Sequence, residues 1–328
     1  MRFRLLDAQP VPDVFAAVMA TGIVSVAAED HRYLSVSYVL AGVAIVSLVV
    51  LFAVVVTEWI VAQQFPFELS DPDVAVRLFT FVAACAVLGA RLEAHPAEIW
   101  TLAVIAWLAW LLLVPITVRS MRAHRWTGLR DRAHGVWELA SVAISGLAIV
   151  TAHLALLTSS RALLALGLAI WVLAIGVYCV MTWLIVWRAA ARPADEIWRP
   201  DSWVLMGGLA IATLAGDRLH GVAMKVIGQD WLVDGVRWLT VGTWAAATLW
   251  IPLLVYTTLR HFELRFTGAW WGTVFPLGMY ASATFAMQVE TGWGPFREIS
   301  LVFFWIALVA WTLVAASALV EFRRIQTR

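Results

Sequence analysis

The feature that most constrains this chain is a succession of long apolar segments separated by polar connections. The segments fall approximately at 12–29, 37–61, 73–93, 97–118, 134–154, 160–187, 200–220, 234–259, 267–290 and 297–320. A helix needs about 20 apolar residues to cross the hydrocarbon core of a bilayer, and its backbone polar groups must bond within the segment. The sequence therefore predicts an all-α integral membrane protein, with ten transmembrane helices in a single domain over residues 1–328.

The composition excludes two large classes of protein. The chain is 62% hydrophobic and only 14% charged, whereas soluble domains have roughly 45–50% apolar and about 25% charged residues. The formal net charge of +1 supplies no basic excess to hold nucleic acid. We therefore exclude a water-soluble globule, expect no nucleic-acid partner and expect the lipid bilayer to surround the chain.

The connections within four pairs of segments are short and those between pairs carry the charged clusters, which indicates helical hairpins. The connection between the seventh and eighth segments, at 221–233, is the exception. The odd-numbered segments begin 60, 62, 66 and 67 residues apart, near Pro12, Pro72, His134, Pro200 and Thr267. Three of these starts read Pro-Asp. This dipeptide suits the first turn of any helix, because proline has a fixed helical φ and the aspartate carboxylate is favoured at the positive end of the helix dipole. Ordinary helix-start chemistry explains the dipeptide alone, but together with the spacing it favours five repeated hairpins.

The distribution of Lys and Arg predicts the orientation. The side that holds both termini carries 15 of them and the other side carries 7, and a basic excess marks the cytoplasmic side. We therefore expect a multi-pass protein of the cell (inner) membrane with both termini cytoplasmic. Arg2, Arg4 and the small residues at 26–28 imitate a cleavable signal peptide, but we expect the segment to remain as the first helix, since its removal leaves nine spans.

The odd and even segments differ in glycine and in charge. The odd segments contain ten glycines and the even segments five. Glycine permits both close packing and bending of membrane helices, so both explanations stay open here. Arg77 and Glu138 lie inside odd segments, and charges in the apolar layer tend to face a bundle interior or water. The odd helices are therefore predicted to form an inner layer and the even helices an outer layer that faces lipid.

Three short stretches carry a family resemblance, in the order 18–25, 203–213 and 270–276. They read VMATGIVS in the first segment, WVLMGGLAIAT in the seventh and WWGTVFP in the ninth. With its length and ten segments, the chain resembles the tellurite-resistance/C4-dicarboxylate transporter family. That family includes bacterial tellurite-resistance permeases, yeast malate permeases and sulfite exporters, and plant slow-type anion channels. The resemblance implies five hairpins with odd helices around a central pore, even helices outside, and usually a homotrimer.

The same resemblance implies a phenylalanine in the ninth helix that closes the pore. It falls on Phe275, because Pro276 is expected to kink the helix there. Phe285 replaces Phe275 if the register differs, and Phe15 resembles a second pore-facing aromatic. The remaining positions expected to line the pore or bend its helices are Gly22, Gly146, Gly207, Gly208, Pro276 and Gly278.

Arg77 and Glu138 have two possible roles. They lie at similar depth in adjacent odd segments, so they are expected to form a buried pair. In the competing role, Arg77 is an anion-attracting charge at the pore mouth.

The predicted function is a membrane channel or permease for small anions, either inorganic anions or C4-dicarboxylates. A different class stays open, since His153 and His220 lie near the outer ends of odd segments and two facing imidazoles can ligate haem; a membrane redox or scaffold protein is therefore the alternative. Cys85 and Cys179 lie in apolar runs and are expected to be buried. The sequence contains no HExxH motif, P-loop or nucleophile elbow, so we expect no enzyme, cofactor or metal site.

Overall fold

The computed structural model describes residues 11–191, 199–260 and 268–326, and the regular structure within these ranges is helical. The α-helices are α1 (Ala16–Asp30), α2 (Leu34–Ala62), α3 (Pro72–Arg77), α4 (Phe79–Arg91), α5 (Pro96–Arg122), α6 (Trp126–Arg132), α7 (Leu139–Thr158), α8 (Arg161–Ala191), α9 (Val204–Val226), α10 (Trp231–Arg260), α11 (Trp271–Thr291) and α12 (Pro295–Gln326). Short 3₁₀ helices at Gly135–Glu138, Pro200–Trp203 and Gly268–Trp270 lead into α7, α9 and α11. Thr267, the expected start of the fifth repeat, lies outside the described residues.

The third apolar segment is interrupted, which the sequence did not predict. The Asp71 side chain accepts a hydrogen bond from the backbone N–H of Asp73, and Pro72 occupies the first turn of α3. The helix then breaks at Leu78, where the Thr80 hydroxyl donates to the carbonyl of Arg77. Helices α3 and α4 therefore form one rod with a break near its start.

Seven helical rods of the described chain are long and apolar enough to cross a membrane. They are Leu34–Ala62, Pro72–Arg91, Pro96–Arg122, Gly135–Thr158, Arg161–Ala191, Trp231–Arg260 and Pro295–Glu321. The other long helices, α1, α9 and α11, are shorter or less apolar, although the sequence predicted spans there. A helix that packs inside a bundle does not face lipid, so its composition is less constrained. The chain is an all-helical, multi-pass membrane protein.

Five of the described helices form a closed ring. Helix α1 packs on α4, α4 on α7, α7 on α9, α9 on α11, and α11 returns to α1. Each ring helix also packs against the helix that follows its short connection: α2, α5, α8, α10 and α12 respectively. The ring helices are therefore those of the odd apolar segments, and their partners come from the even segments.

Burial separates the two layers. The buried share of the apolar window is 72% in Pro72–Arg91 and 94% in Gly135–Thr158, both in the ring, but between 17% and 33% in the partner helices with candidate spans. The exposed residues of the partner helices are largely Val, Leu, Ile and Trp, which suits contact with lipid. The predicted division into an inner and an outer layer agrees with this burial.

Candidate functional site

A cavity lies at each end of the helix ring. The N-terminal vestibule, of about 160 Å³, touches the first turns of all five ring helices, at residues that include Asp13, Arg77, Leu139, Asp201 and Gly272. The C-terminal vestibule, of about 570 Å³, lies at the opposite ends, and its lining includes Glu93, His153, Asp217, Arg218, Lys225 and Glu290. The ring interior between these cavities is the candidate functional site.

Phe275 lies between the two ends of α11 and is fully buried. It follows Gly272, which lines the N-terminal vestibule, by nearly one helical turn. Phe285, the alternative position, is only partly buried and contacts the His31 ring at 5.4 Å between centroids. The structure thus places Phe275, and not Phe285, in the fully buried part of the ring.

Pro276 lies within a helix that stays α-helical from Trp271 to Thr291. Its ring packs on Gly207 of α9, where an added Cβ atom would lie 2.9 Å from Cγ of Pro276. A Cβ atom at that distance would force a neighbour to shift. Position 207 must therefore be glycine for α9 and α11 to pack this closely.

The other predicted glycines occupy comparable contacts. A Cβ atom on Gly22 would lie 3.0 Å from Val87, on Gly146 it would lie 2.8 Å from Ala86, and on Gly278 it would lie 3.0 Å from Ile23. These positions join α1 to α4, α7 to α4, and α11 to α1. Gly208 faces the outer layer, since a Cβ atom on it would lie 3.0 Å from the ring of Tyr178 in α8. Close helix packing, the first of the two explanations of glycine enrichment, therefore accounts for these sites.

Phe15 packs between helices. Its ring meets Phe81 of α4 edge to face at 4.9 Å, and Phe81 stacks in turn on Phe52 of α2. Its neighbours Ala16 and Asp13 line the N-terminal vestibule, whereas Phe15 does not. The expectation of a pore-facing aromatic at Phe15 is not supported by this packing, because the side chain points toward the outer layer.

The predicted pair of Arg77 and Glu138 is wrong. Arg77 donates from Nη1 to Asp13 at 2.7 Å and from Nε to Asp73 at 3.1 Å. Glu138 is fully buried and accepts hydrogen bonds from the hydroxyls of Ser141 and Thr182, at 2.9 and 2.7 Å. Glu138 faces α8 through Thr182, so it lies between the two layers, while Arg77 lies at the N-terminal vestibule.

A chain of ion pairs, which we call the ionic belt, consists of Asp13, Arg77, Asp73, His134 and Asp201. Beyond the two Arg77 contacts, Nε2 of His134 lies 2.6 Å from Asp73 Oδ1 and Nδ1 lies 2.9 Å from Asp201 Oδ2. The belt joins the N-terminal ends of four of the five ring helices. Its three carboxylates are the aspartates of the Pro-Asp dipeptides, so the repeat was the sequence signal that pointed to these residues.

His134 is a cation in this belt. Burial disfavours its charge, but the hydrogen bonds to Asp201 and Asp73 outweigh that cost and raise the pKa of the imidazole to about 9. The geometry agrees, since a neutral imidazole has a single N–H and both ring nitrogens face carboxylate oxygens.

Ion pairs also connect the ring helices at the C-terminal vestibule. Glu93 lies 3.0 Å from His153 and 3.6 Å from Arg218, while Glu290 lies 2.7 Å from Arg237 and 3.3 Å from His220. The hydrogen bond from His153, with the nearby charge of Arg218, lowers the pKa of Glu93 despite its partial burial. Both ends of the ring therefore carry cross-helix ion pairs.

The histidines considered for haem have other partners. Nδ1 of His153 contacts the carbonyl of Ile149 and Nε2 contacts Glu93, so neither nitrogen is free to ligate iron. Among the described residues, no group of three or more His, Cys, Asp or Glu side chains is placed to hold a metal ion. Cys85 is buried as expected, but Cys179 is exposed, so that expectation is wrong for Cys179.

A multi-pass bundle with a closed inner ring and a vestibule at each end has the architecture of a membrane channel or transporter. The family model of the voltage-dependent anion channel, SLAC1, matches residues 11–319, and the chain belongs to that family. This confirms the resemblance, because the family is the one also described as the tellurite-resistance/C4-dicarboxylate transporter family. Its members are channels or transporters.

Named relatives are similar over different lengths. An uncharacterized transporter of Methanocaldococcus jannaschii is 22% identical over 326 residues, covering 92% of this chain and 90% of that protein. An uncharacterized membrane protein of Mycobacterium tuberculosis is 32% identical over 136 residues, covering 39% of this chain. The chain spans 66% of the length of that mycobacterial relative, and a second strain carries a protein with the same match.

Proposed function

We propose that this protein is a channel or permease that carries small anions, inorganic or C4-dicarboxylate, along the axis of the ring formed by α1, α4, α7, α9 and α11. The observation that carries the proposal is the closed ring with a vestibule at each end, in a chain of the voltage-dependent anion channel family. The five ring helices all direct their N-terminal ends to one vestibule, and the positive ends of helix dipoles favour anions.

All ten long helical rods cross the membrane in this proposal, as five hairpins of one domain. Helices α1, α9 and α11 complete the ring, and their burial explains how they span the membrane with fewer apolar residues. Both termini lie in the cytoplasm and the protein resides in the cell (inner) membrane as a homotrimer. The basic excess on the side of the termini supports the orientation.

Phe275 is the gate. Its ring is fully buried about one turn beyond the N-terminal vestibule, where an aromatic side chain closes a narrow pore by its volume and by excluding water. Pro276 fixes the position of this turn against Gly207. The redox alternative is not favoured, since the nitrogens of His153 are occupied.

The test is anion flux into sealed vesicles that contain the purified full chain. Chloride, nitrate, sulfite, malate and succinate are supplied in turn against a constant cation, with protein-free vesicles as the control. We expect uptake that follows the anion gradient and does not depend on the cation. Flux equal to that of the protein-free vesicles for every anion would overturn the proposal.

A further inference from the structure

The ionic belt lies between two cavities. Asp13, Arg77 and Asp201 line the N-terminal vestibule, whereas Asp73 and His134 line a side cavity of about 240 Å³, which Arg199 shares with the vestibule. The belt therefore separates the side cavity from the N-terminal vestibule.

The charge of the belt depends on His134. The belt contains three carboxylates against the cations Arg77 and His134, which leaves one net negative charge. Arg77 is directly paired with Asp13 and Asp73, while Asp201 forms its ion pair with His134 through Oδ2. Its Oδ1 atom is buried and has no hydrogen-bond partner among the described residues. Loss of the imidazolium therefore leaves Asp201 without its directly bonded cation.

The backbone holds His134 in this place. Gly135 follows it, and a Cβ atom on Gly135 would overlap the backbone carbonyl of Asp201. This contact places His134 beside the 3₁₀ helix Pro200–Trp203 that precedes α9. Trp137 also donates to Asp73, at 3.2 Å, which fixes the second carboxylate.

We propose that His134 is the positioning and charge-balancing residue that sets anion entry at the N-terminal vestibule. As an imidazolium, it joins Asp73 to Asp201 and cancels one of the two net negative charges that the belt would otherwise carry, which weakens the repulsion of anions from the ring. The inference rests on the proposed function and deepens it, because it names a residue that sets the selectivity of the same pathway. The other charged groups on the side cavity are Asp71, Asp131, Arg132, Arg188 and Arg199.

The experiment compares wild type, His134→Gln and the double variant His134→Gln with Asp201→Asn, each as full-length protein in vesicles. The single variant adds one net negative charge, so we expect anion flux to fall at least about threefold at low salt, with a smaller difference at high salt. The double variant restores the net charge, so its flux should recover toward that of wild type. A purely structural role predicts that the double variant is no better than the single one and that salt has no effect.

The outcomes separate the two proposals. A wild type without anion flux overturns the proposed function and this inference with it. A conducting wild type with an unchanged His134→Gln variant, or without recovery in the double variant, overturns the inference alone. If His134→Gln does not fold, Asp201→Asn is compared with wild type instead, since it removes one negative charge from the belt. Its flux should exceed that of wild type at low salt, and an unchanged or lower flux contradicts the inference.

Discussion

Pro276 of α11 rests directly on the backbone of Gly207 of α9. The Cβ position of Gly207 lies 2.9 Å from Cγ of the proline ring. The residue before the proline is the fully buried Phe275. The contact therefore fixes the height and rotation of α11 at the level of the proposed gate.

This contact predicts that Gly207 cannot accept a side chain. Gly207→Val should destabilise the protein by about 1–3 kcal/mol, because the added methyl groups have no space beside Pro276. The matched control is Gly176→Val on α8, where an added Cβ atom has no neighbour within 4 Å. Thermal unfolding in detergent measures both. Equal melting temperatures for the two variants would contradict the packing argument.

Replacing the proposed gate should change conduction more than stability. Phe275→Ala should raise anion flux several-fold in vesicles while cations stay excluded, and Phe275→Leu should fall between Phe275→Ala and wild type. Simple core packing would instead cost about 3–5 kcal/mol and lower the yield of folded protein. Phe285→Ala is the control and should leave flux unchanged. A well-folded Phe275→Ala protein that conducts no more than wild type refutes the gate.

His134 should make stability depend on pH in the alkaline range. Its folded pKa of about 9 lies above the unfolded value of about 6.5, so its stabilising contribution is complete below pH 6.5. The contribution is lost as pH rises through about 9, and it amounts to at most about 3 kcal/mol. Melting temperatures of wild type between pH 6 and pH 10 should fall more steeply than those of His134→Gln. Parallel curves would contradict this assignment.

Glu138 should tolerate an amide but not truncation. Its carboxyl accepts from Ser141 and Thr182, and Glu138→Gln keeps an acceptor of the same size. Glu138→Ala removes the carboxyl acceptor of the half-buried Thr182 hydroxyl, whereas Ser141 keeps its bond to the backbone carbonyl of residue 138. The variant also leaves a gap in the packing between α7 and α8, and it should cost about 1–3 kcal/mol. Adding Arg77→Met to Glu138→Ala should not restore stability, since Arg77 pairs with Asp13 and Asp73. Recovery of stability in that double variant would instead support a direct pair of Arg77 and Glu138.

The proposed orientation can be read by labelling single cysteines. In a background without Cys85 and Cys179, Thr127→Cys lies on α6 and Gly294→Cys lies in the connection between α11 and α12. An impermeant maleimide should label Gly294→Cys on intact cells and should reach Thr127→Cys only after permeabilisation. The reverse pattern would place the termini outside.

The layers of the fold were predictable because they follow from composition and spacing. Apolar length gives the helices, and glycine with charge separates the ring from its outer partners. The break at Leu78 was not predictable, because no proline or glycine marks that position in the sequence. Helix α6 was not predicted either, because the connection between the fourth and fifth apolar segments is recognisable in the sequence only by its charged residues.

The site was predicted less well than the fold. The Pro-Asp repeat indicated that Asp13, Asp73 and Asp201 occupy equivalent positions, but a repeat does not say which cations lie between them. Arg77 was therefore assigned to Glu138, which lies at a similar depth but faces α8. The same limit applies to Phe15, whose direction around the helix axis depends on its contact with Phe81. Depth along a helix can be estimated from sequence, whereas rotation about its axis requires the neighbours.

The glycine contacts around the ring have a kinetic consequence. Where Gly22, Gly146, Gly207 and Gly278 meet their neighbours, the helices have no room to approach further, and the ion pairs at both ends resist separation. The pore should therefore open by rotation of the Phe275 side chain rather than by movement of a helix. Side-chain rotation is faster than collective helix motion, which takes microseconds to milliseconds. Single-channel openings should consequently be short. Their frequency should change little when the thickness of the lipid bilayer is varied.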